Sequence, residues 1–183
     1  MSLRSALKRL ISRGLVLSAL LLNLSLTAQA AEVQVGFSPE GSGEQLVLNV
    51  IQDAQQQIRL MGYSFTSPKV VKALVGAKQR GVDVQVVLDE RGNGNKASRA
   101  AMNLLVNAGI PVRTSAAYKI QHDKVIISDG QNLQTGSFNY SSAAARSNSE
   151  NVLVLWGFPA VAKVYLQHWQ SRWDQGQPYQ SGY

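Results

Sequence analysis

Val33, Val35 and Phe37 alternate with polar neighbours, the period of two expected of a strand, and Ser38-Pro39-Glu40-Gly41 ends that run with turn formers. Leu46, Val47, Val50, Ile51 and Ala54 then recur at helical spacing. A second strand is predicted over residues 58–65, ending in Tyr63-Ser64-Phe65-Thr66. Ser67-Pro68 offers a capping hydroxyl and a first-turn proline to a helix carrying Val70, Val71, Leu74, Val75 and Ala77, which stops at Arg80-Gly81. Residues 82–88 form a nearly continuous aliphatic run, as expected for a strand buried on both faces of a parallel sheet. Residues 89–96 read as a flexible polar loop, 98–108 as a helix closed by Gly109 and Pro111, and 112–114 as a short strand. Beyond Ser141 come a short polar helix or loop, a strand over 151–156 and a last helix over 159–173. Strand and helix alternate repeatedly. The prediction is one α/β domain, a mixed, largely parallel sheet with helices on both faces.

The first thirty residues stand apart from that pattern. Arg4, Lys8, Arg9 and Arg13 precede an apolar run over 14–26, and Ala28-Gln29-Ala30 supplies small residues at a cleavage position. This is the layout of a secretory signal peptide over 1–30, with the folded domain over 31–183. The apolar run is short for a bilayer span, which takes about 20 residues, so a retained anchor is the weaker reading. Export to a periplasmic or extracellular location is the expectation, without stable membrane insertion of the mature chain. Setting the leader's four cations aside leaves 14 of the 18 basic residues against 11 acidic ones, a surplus of +3 rather than +7. That surplus suits a polyanionic substrate but equally an ordinary solvated surface. There is no cysteine, which excludes disulfides, thiol catalysis and thiolate zinc sites.

The chemistry concentrates in Gln121-His122-Asp123-Lys124-Val125-Ile126-Ile127-Ser128-Asp129 and the following Thr135-Gly136-Ser137-Phe138-Asn139. A β-branched run, a turn-rich Asp129-Gly130-Gln131-Asn132 and a second extended run predict a hairpin. Alternation puts His122 and Lys124 on one face, Asp123 on the other, and pairs Ser137 with Asn139. If those faces meet, an imidazole, an ammonium, a hydroxyl and an amide share one patch, as phosphoryl transfer requires. The same alternation sends Asp129 away from His122, so it reads as a structural carboxylate. A metal site using His122 with Asp123 or Asp129 is the rival, and the alternation disfavours it.

His122-x-Lys124, then Asp129, then Gly136-Ser137-x-Asn139, with Glu150 beyond, resembles the HKD motif of the phospholipase D superfamily. Together with Tyr63-Ser64-Phe65-Thr66, the pattern is most similar to the small single-motif bacterial endonucleases of that superfamily. The resemblance implies an α/β/α sandwich and a phosphodiesterase that needs no metal or other cofactor. It also implies a phosphohistidine intermediate, with one histidine attacking phosphorus and a second serving as acid and base. This chain has one copy of the motif, and its other histidine, His168, lies in the last helix with no motif around it. The resemblance therefore implies a homodimer that places His122 of two subunits about a two-fold axis. In that scheme Lys124 and Asn139 bind phosphate, Ser137 bonds phosphate or orients an imidazole, and Glu150 holds the His122 ring. Asp129 and Gly136 belong to the motif as structural positions.

Arg91, Lys96 and Arg99 follow a strand end, where α/β ligands bind, and make candidate substrate contacts. Lys69, Lys72, Arg113 and Lys119 could extend a cationic track that grips phosphates without reading bases. Short connections and the absence of a basic amphipathic segment favour nucleic acid, DNA or RNA, over a lipid headgroup. The alternatives are a phospholipase D using the same site and a non-catalytic nucleic-acid-binding domain.

Overall fold

A computed structural model describes residues 31–182; the predicted leader lies outside the described residues. Eight strands form a single sheet: β1 (Glu32–Ser38), β2 (Gln57–Gly62), β3 (Asp83–Asp89), β4 (Val112–Ser115), β5 (Lys124–Ser128), β6 (Asn132–Gly136), β7 (Glu150–Trp156) and β8 (Gln177–Pro178). Among the described residues five helices join them: α1 (Ser42–Asp53), α2 (Pro68–Gln79), α3 (Lys96–Asn107), α4 (Ser142–Arg146) and α5 (Pro159–Gln175). The strand order is β1-β7-β6-β5-β2-β3-β4-β8.

The sheet is mixed and both faces carry helices, as the alternation predicted. Parallel neighbours are fewer than expected. Only β2–β3 and β3–β4 pair in parallel, through the crossovers α2 and α3, and the other pairings are antiparallel. The reason is the hairpin β5–β6, which inserts beside β2 and reverses direction at each step, so that β7 and β1 follow antiparallel.

Ile58 and Leu60 of β2 face one side, with Ile126 of β5 and the apolar stripes of α1, α2 and α3. Met61, Val87, Val125 and Ile127 face the other side, covered by α5 through Ala162 and Trp169. Trp169 is the anchor of α5: its ring is buried and its Nε1 donates to the carbonyl of Leu60 at 3.0 Å. Burying so large an aromatic stabilises by several kcal/mol, and the partnered indole N–H removes the cost of burying a donor. The cap predicted at Ser67 is present, and two further caps accompany it. Ser67 caps α2 at Val70 N, Asn95 caps α3 at Ser98 N, and Ser141 caps α4 at Ala144 N.

The hairpin turn is held by the residue read as structural. Asp129 sits at φ 54°, and its carboxylate accepts from the backbone N–H of Gln55, Gln56 and Gln57 at 2.9, 2.7 and 3.0 Å. The turn is thereby tied to the entry of β2.

Candidate active site

Because β5 and β7 both run against β6, the starts of β5 and β7 meet the end of β6 at one edge of the sheet. There His122, Lys124, Gly136, Ser137, Asn139 and Glu150 line a cleft of about 360 Å³. Gly136 is obligatory for that convergence: at φ 147° a Cβ would lie 2.2 Å from the carbonyl oxygen of Asn151.

Lys124 is buried, and its Nζ donates to the carbonyl of His122 at 2.8 Å. Desolvation lowers its pKa, opposed by the nearby carboxylates of Asp123 and Glu150. Glu150 does not hold the His122 ring within one chain. Its two oxygens accept instead from Ser137 Oγ at 2.5 Å and Asn148 Nδ2 at 2.9 Å. Ser137 in turn accepts from Asn151 N at 3.0 Å, so its hydroxyl is engaged in orienting Glu150. Among the described residues neither Glu150 nor Ser137 bonds an imidazole; the two bond each other. Asn139 brings its buried Oδ1 to this region with no hydrogen-bond partner among the described residues.

Alternation along β5 is observed. Asp123 points to the α5 side, where its Oδ1 lies 3.2 Å from His168 Nε2. That pairing was not legible in sequence, since it joins residues 45 positions apart across a helix–sheet interface. His168 is thus half-buried against the strand rather than in the cleft. No group of three or more His, Cys, Asp or Glu side chains able to hold a metal stands among the described residues.

Residues 89–96 are not the flexible loop expected. A short 3₁₀ turn (Arg91–Asn93) is fastened by buried Asp89 and Asn93. Arg91 is exposed and does not line the cleft; its Nη1 donates to the carbonyl of Lys119 at 3.4 Å. Lys96 and Arg99 are exposed in the first turn of α3 and do not line the cleft. Two members of the wider cationic track are committed elsewhere: Lys69 pairs with Glu44 at 2.6 Å, and Arg113 donates to Trp173 O and covers its ring. Sequence reasoning also assigned no contact to Tyr63, whose ring centroid lies 5.0 Å from that of His122. The register brings the segments together: Gly62 pairs antiparallel with Lys124, so Tyr63, just after β2, lies beside the residues just before β5.

Comparison with known proteins agrees with this arrangement. Residues 47–173 match the family described as cardiolipin synthase, PLD-like domain. A phospholipase D of Rickettsia conorii is 33% identical over 163 residues, covering 87% of this chain and 80% of that protein. A mitochondrial cardiolipin hydrolase of Xenopus tropicalis is 30% identical, covering 68% of this chain and 58% of that protein. Among solved structures, Nuc from Salmonella typhimurium, a phospholipase D family member, superposes with TM-score 0.82 at 56% identity. That superposition covers 82% of this chain and 99% of Nuc. A single His122-x-Lys124 hairpin, a Gly136-Ser137-x-Asn139 return and a family match over most of the chain lead to one assignment: this protein belongs to the phospholipase D superfamily of phosphodiesterases.

Proposed function

We propose that this chain is a sequence-non-specific endonuclease that hydrolyses DNA, and RNA by the same chemistry, without a metal. The observation that carries the reading is the convergence of His122, Lys124 and Asn139 in one open cleft holding a single histidine. One imidazole can attack phosphorus, but the leaving oxygen then needs a proton from a second group. In the proposed dimer that group is His122 of the partner subunit. The attacking nitrogen forms an N–P bond, the P–O bond breaks, and the partner's imidazolium protonates the departing alkoxide. A water then attacks phosphorus, giving its proton to the now neutral partner imidazole, and the N–P bond breaks. Lys124 and the Asn139 amide bind the non-bridging oxygens, where charge accumulates in both steps. Glu150, held by Ser137 and Asn148, lines the same cleft as Lys124.

A surface for that subunit is available. Leu155 packs on the α5 side, so its cross-strand partner Val33, and with it Val35 and Phe37 at the same period of two along β1, face that way. All three are more than half exposed on edge strand β1, as is Val164 on α5. An apolar strip of this kind marks an association surface. Export through the predicted leader would place the enzyme in the periplasm or outside the cell.

A second reading, phospholipase D activity on lipid headgroups, is favoured by the names of the relatives at 30–33% identity. Exposed Arg91, Lys96 and Arg99 favour a polyanion, and no helix among the described residues is long and apolar enough to cross a membrane. Purified protein lacking residues 1–30 is incubated with plasmid DNA and with phosphatidylcholine vesicles, each in excess chelator. DNA nicking that His122→Ala abolishes is expected. Headgroup release without nicking would transfer the assignment to lipid, and turnover of neither would leave only a binding domain.

A further inference from the structure

Within the described chain the His122 imidazole makes no hydrogen bond, and the contact that fixes it is with Tyr63. The two rings are 5.0 Å apart between centroids, inclined at 55°, and the same Tyr63 ring lies 5.4 Å from Lys124 Nζ. One half-buried aromatic ring therefore borders both the imidazole and the ammonium of the cleft.

Tyr63 is itself braced from behind. Gly92 lies so close that a Cβ there would be 2.8 Å from Tyr63 Cε2 and 2.9 Å from its carbonyl oxygen. Asn93, buried, donates from Nδ2 to Tyr63 O at 2.6 Å and to Asp89 O at 2.8 Å, while its Oδ1 accepts from Phe65 N at 3.0 Å. Asp89, also buried, accepts from Gly92 N at 2.6 Å and from Gln121 N at 2.8 Å. Gln121 directly precedes His122. Two buried polar side chains thus tie the segment carrying Tyr63, the 3₁₀ turn and the backbone of the nucleophile into one rigid unit.

We propose that Tyr63 is a positioning residue for phosphoryl transfer, acting through His122 and Lys124, and that Asp89, Gly92 and Asn93 form the bracket that sets its place. The inference rests on the phosphodiesterase reading. As His122 forms its bond to phosphorus the imidazole becomes cationic, so the electron-rich face of Tyr63 interacts more strongly with the transition state than with the free enzyme. Holding Lys124 over the same ring keeps the ammonium aimed at the phosphate, a gain in orientation rather than in affinity.

The signature is a fall in kcat with KM retained. On a chromogenic phosphodiester, Tyr63→Leu is expected to lower kcat by about three- to thirtyfold, the size of a cation–π contact, with KM within about threefold. Tyr63→Phe, which keeps the ring, should stay within about twofold. Gly92→Ala, which displaces the ring from behind, should reproduce the kcat loss in a protein with unchanged circular dichroism. The chain holds two histidines, so imidazole proton resonances give a second readout: the His122 signals should move in Tyr63→Leu and the His168 signals should not. Unchanged kcat in Tyr63→Leu, or a rise in KM alone, would overturn the positioning role, the latter making Tyr63 a substrate platform. A Tyr63→Phe variant as impaired as Tyr63→Leu would overturn it too, by assigning the effect to the hydroxyl. Inactive wild-type protein would strike the phosphodiesterase reading and this inference together, whereas active wild type with unaffected variants removes this inference alone.

Discussion

Lys124 shows how one side chain trades stability for a site. It is 5% exposed, and its only hydrogen bond among the described residues is to the carbonyl of its near neighbour His122. Desolvation lowers its pKa below the ordinary 10.5, more strongly than the carboxylates of Asp123 and Glu150 raise it. A depressed lysine pKa means that the folded chain releases the proton at lower pH than the unfolded chain does. Between the lowered value and 10.5 the unfolded state holds more protons, so this group makes stability rise with pH across that window. Below the window the fold carries the full cost of a charge shielded from water. Lys124→Met keeps most of the apolar stem and discards the charge. It is expected to lower activity by about a hundredfold or more while melting no lower than wild type at neutral pH. The alkaline rise in stability should also flatten. Calorimetric Tm from neutral pH up to the alkaline limit checks this, and a marked loss of stability at neutral pH would mean that the ammonium is a net structural asset.

At the scale of elements, the hairpin β5–β6 was the part most legible in the sequence. Alternation at His122, Asp123 and Lys124 and the turn formers after Ser128 follow from local geometry, so they could be read without knowing any neighbour. The capping pair Ser67-Pro68 was legible for the same reason. What escaped prediction depends on contacts far apart in sequence. The insertion of the hairpin beside β2 reduced the parallel share of the sheet, and no local pattern announces which strand a hairpin joins. Residues 89–96 looked like a mobile loop because Gly, Asn and Asp are turn formers; buried, Asp89 and Asn93 are instead cross-links to residues more than 25 positions away. The Ser137–Glu150 hydrogen bond joins residues 13 positions apart and was likewise not legible locally. Asp129 ties these two levels together, since its carboxylate joins the hairpin turn to the entry of β2. Asp129→Ala removes an acceptor from three backbone N–H groups and leaves a non-glycine residue without a side-chain acceptor at φ 54°. The expected cost is about 2–3 kcal/mol, or a Tm lowered by roughly 4–10 °C. Activity per folded molecule should stay within about twofold of wild type at temperatures where the fold persists. Asp129→Asn should fall between the two. A selective loss of kcat with unchanged Tm would instead place Asp129 in the chemistry.

Among the described residues the cleft holds one histidine, and the proposed mechanism asks for two. The molecule's edge strand β1 leaves Val33, Val35 and Phe37 exposed on the α5 side, and Ser38 at the end of that strand pairs with Glu150 at the start of β7, a cleft-lining residue. The apolar strip thus ends beside the strand end that borders the site, on the opposite face of the sheet from Glu150 and Lys124. Two consequences can be separated. Val35→Asp with Phe37→Asp should give a folded monomer by sedimentation that has lost activity, because a pair of charges on the strip opposes burial without touching the cleft. Dissociation with activity retained would end the shared-site idea. Subunit mixing gives the sharper test, because His122→Ala chains keep the strip but not the imidazole. If each site draws one histidine from each subunit, a mixed dimer lacks half of its chemistry. After exchange, a ninefold excess of His122→Ala should lower activity per wild-type subunit to about one tenth, the fraction that finds a wild-type partner in a two-fold assembly. Were each subunit to work alone, the variant would be a spectator and activity per wild-type subunit would not change at any ratio.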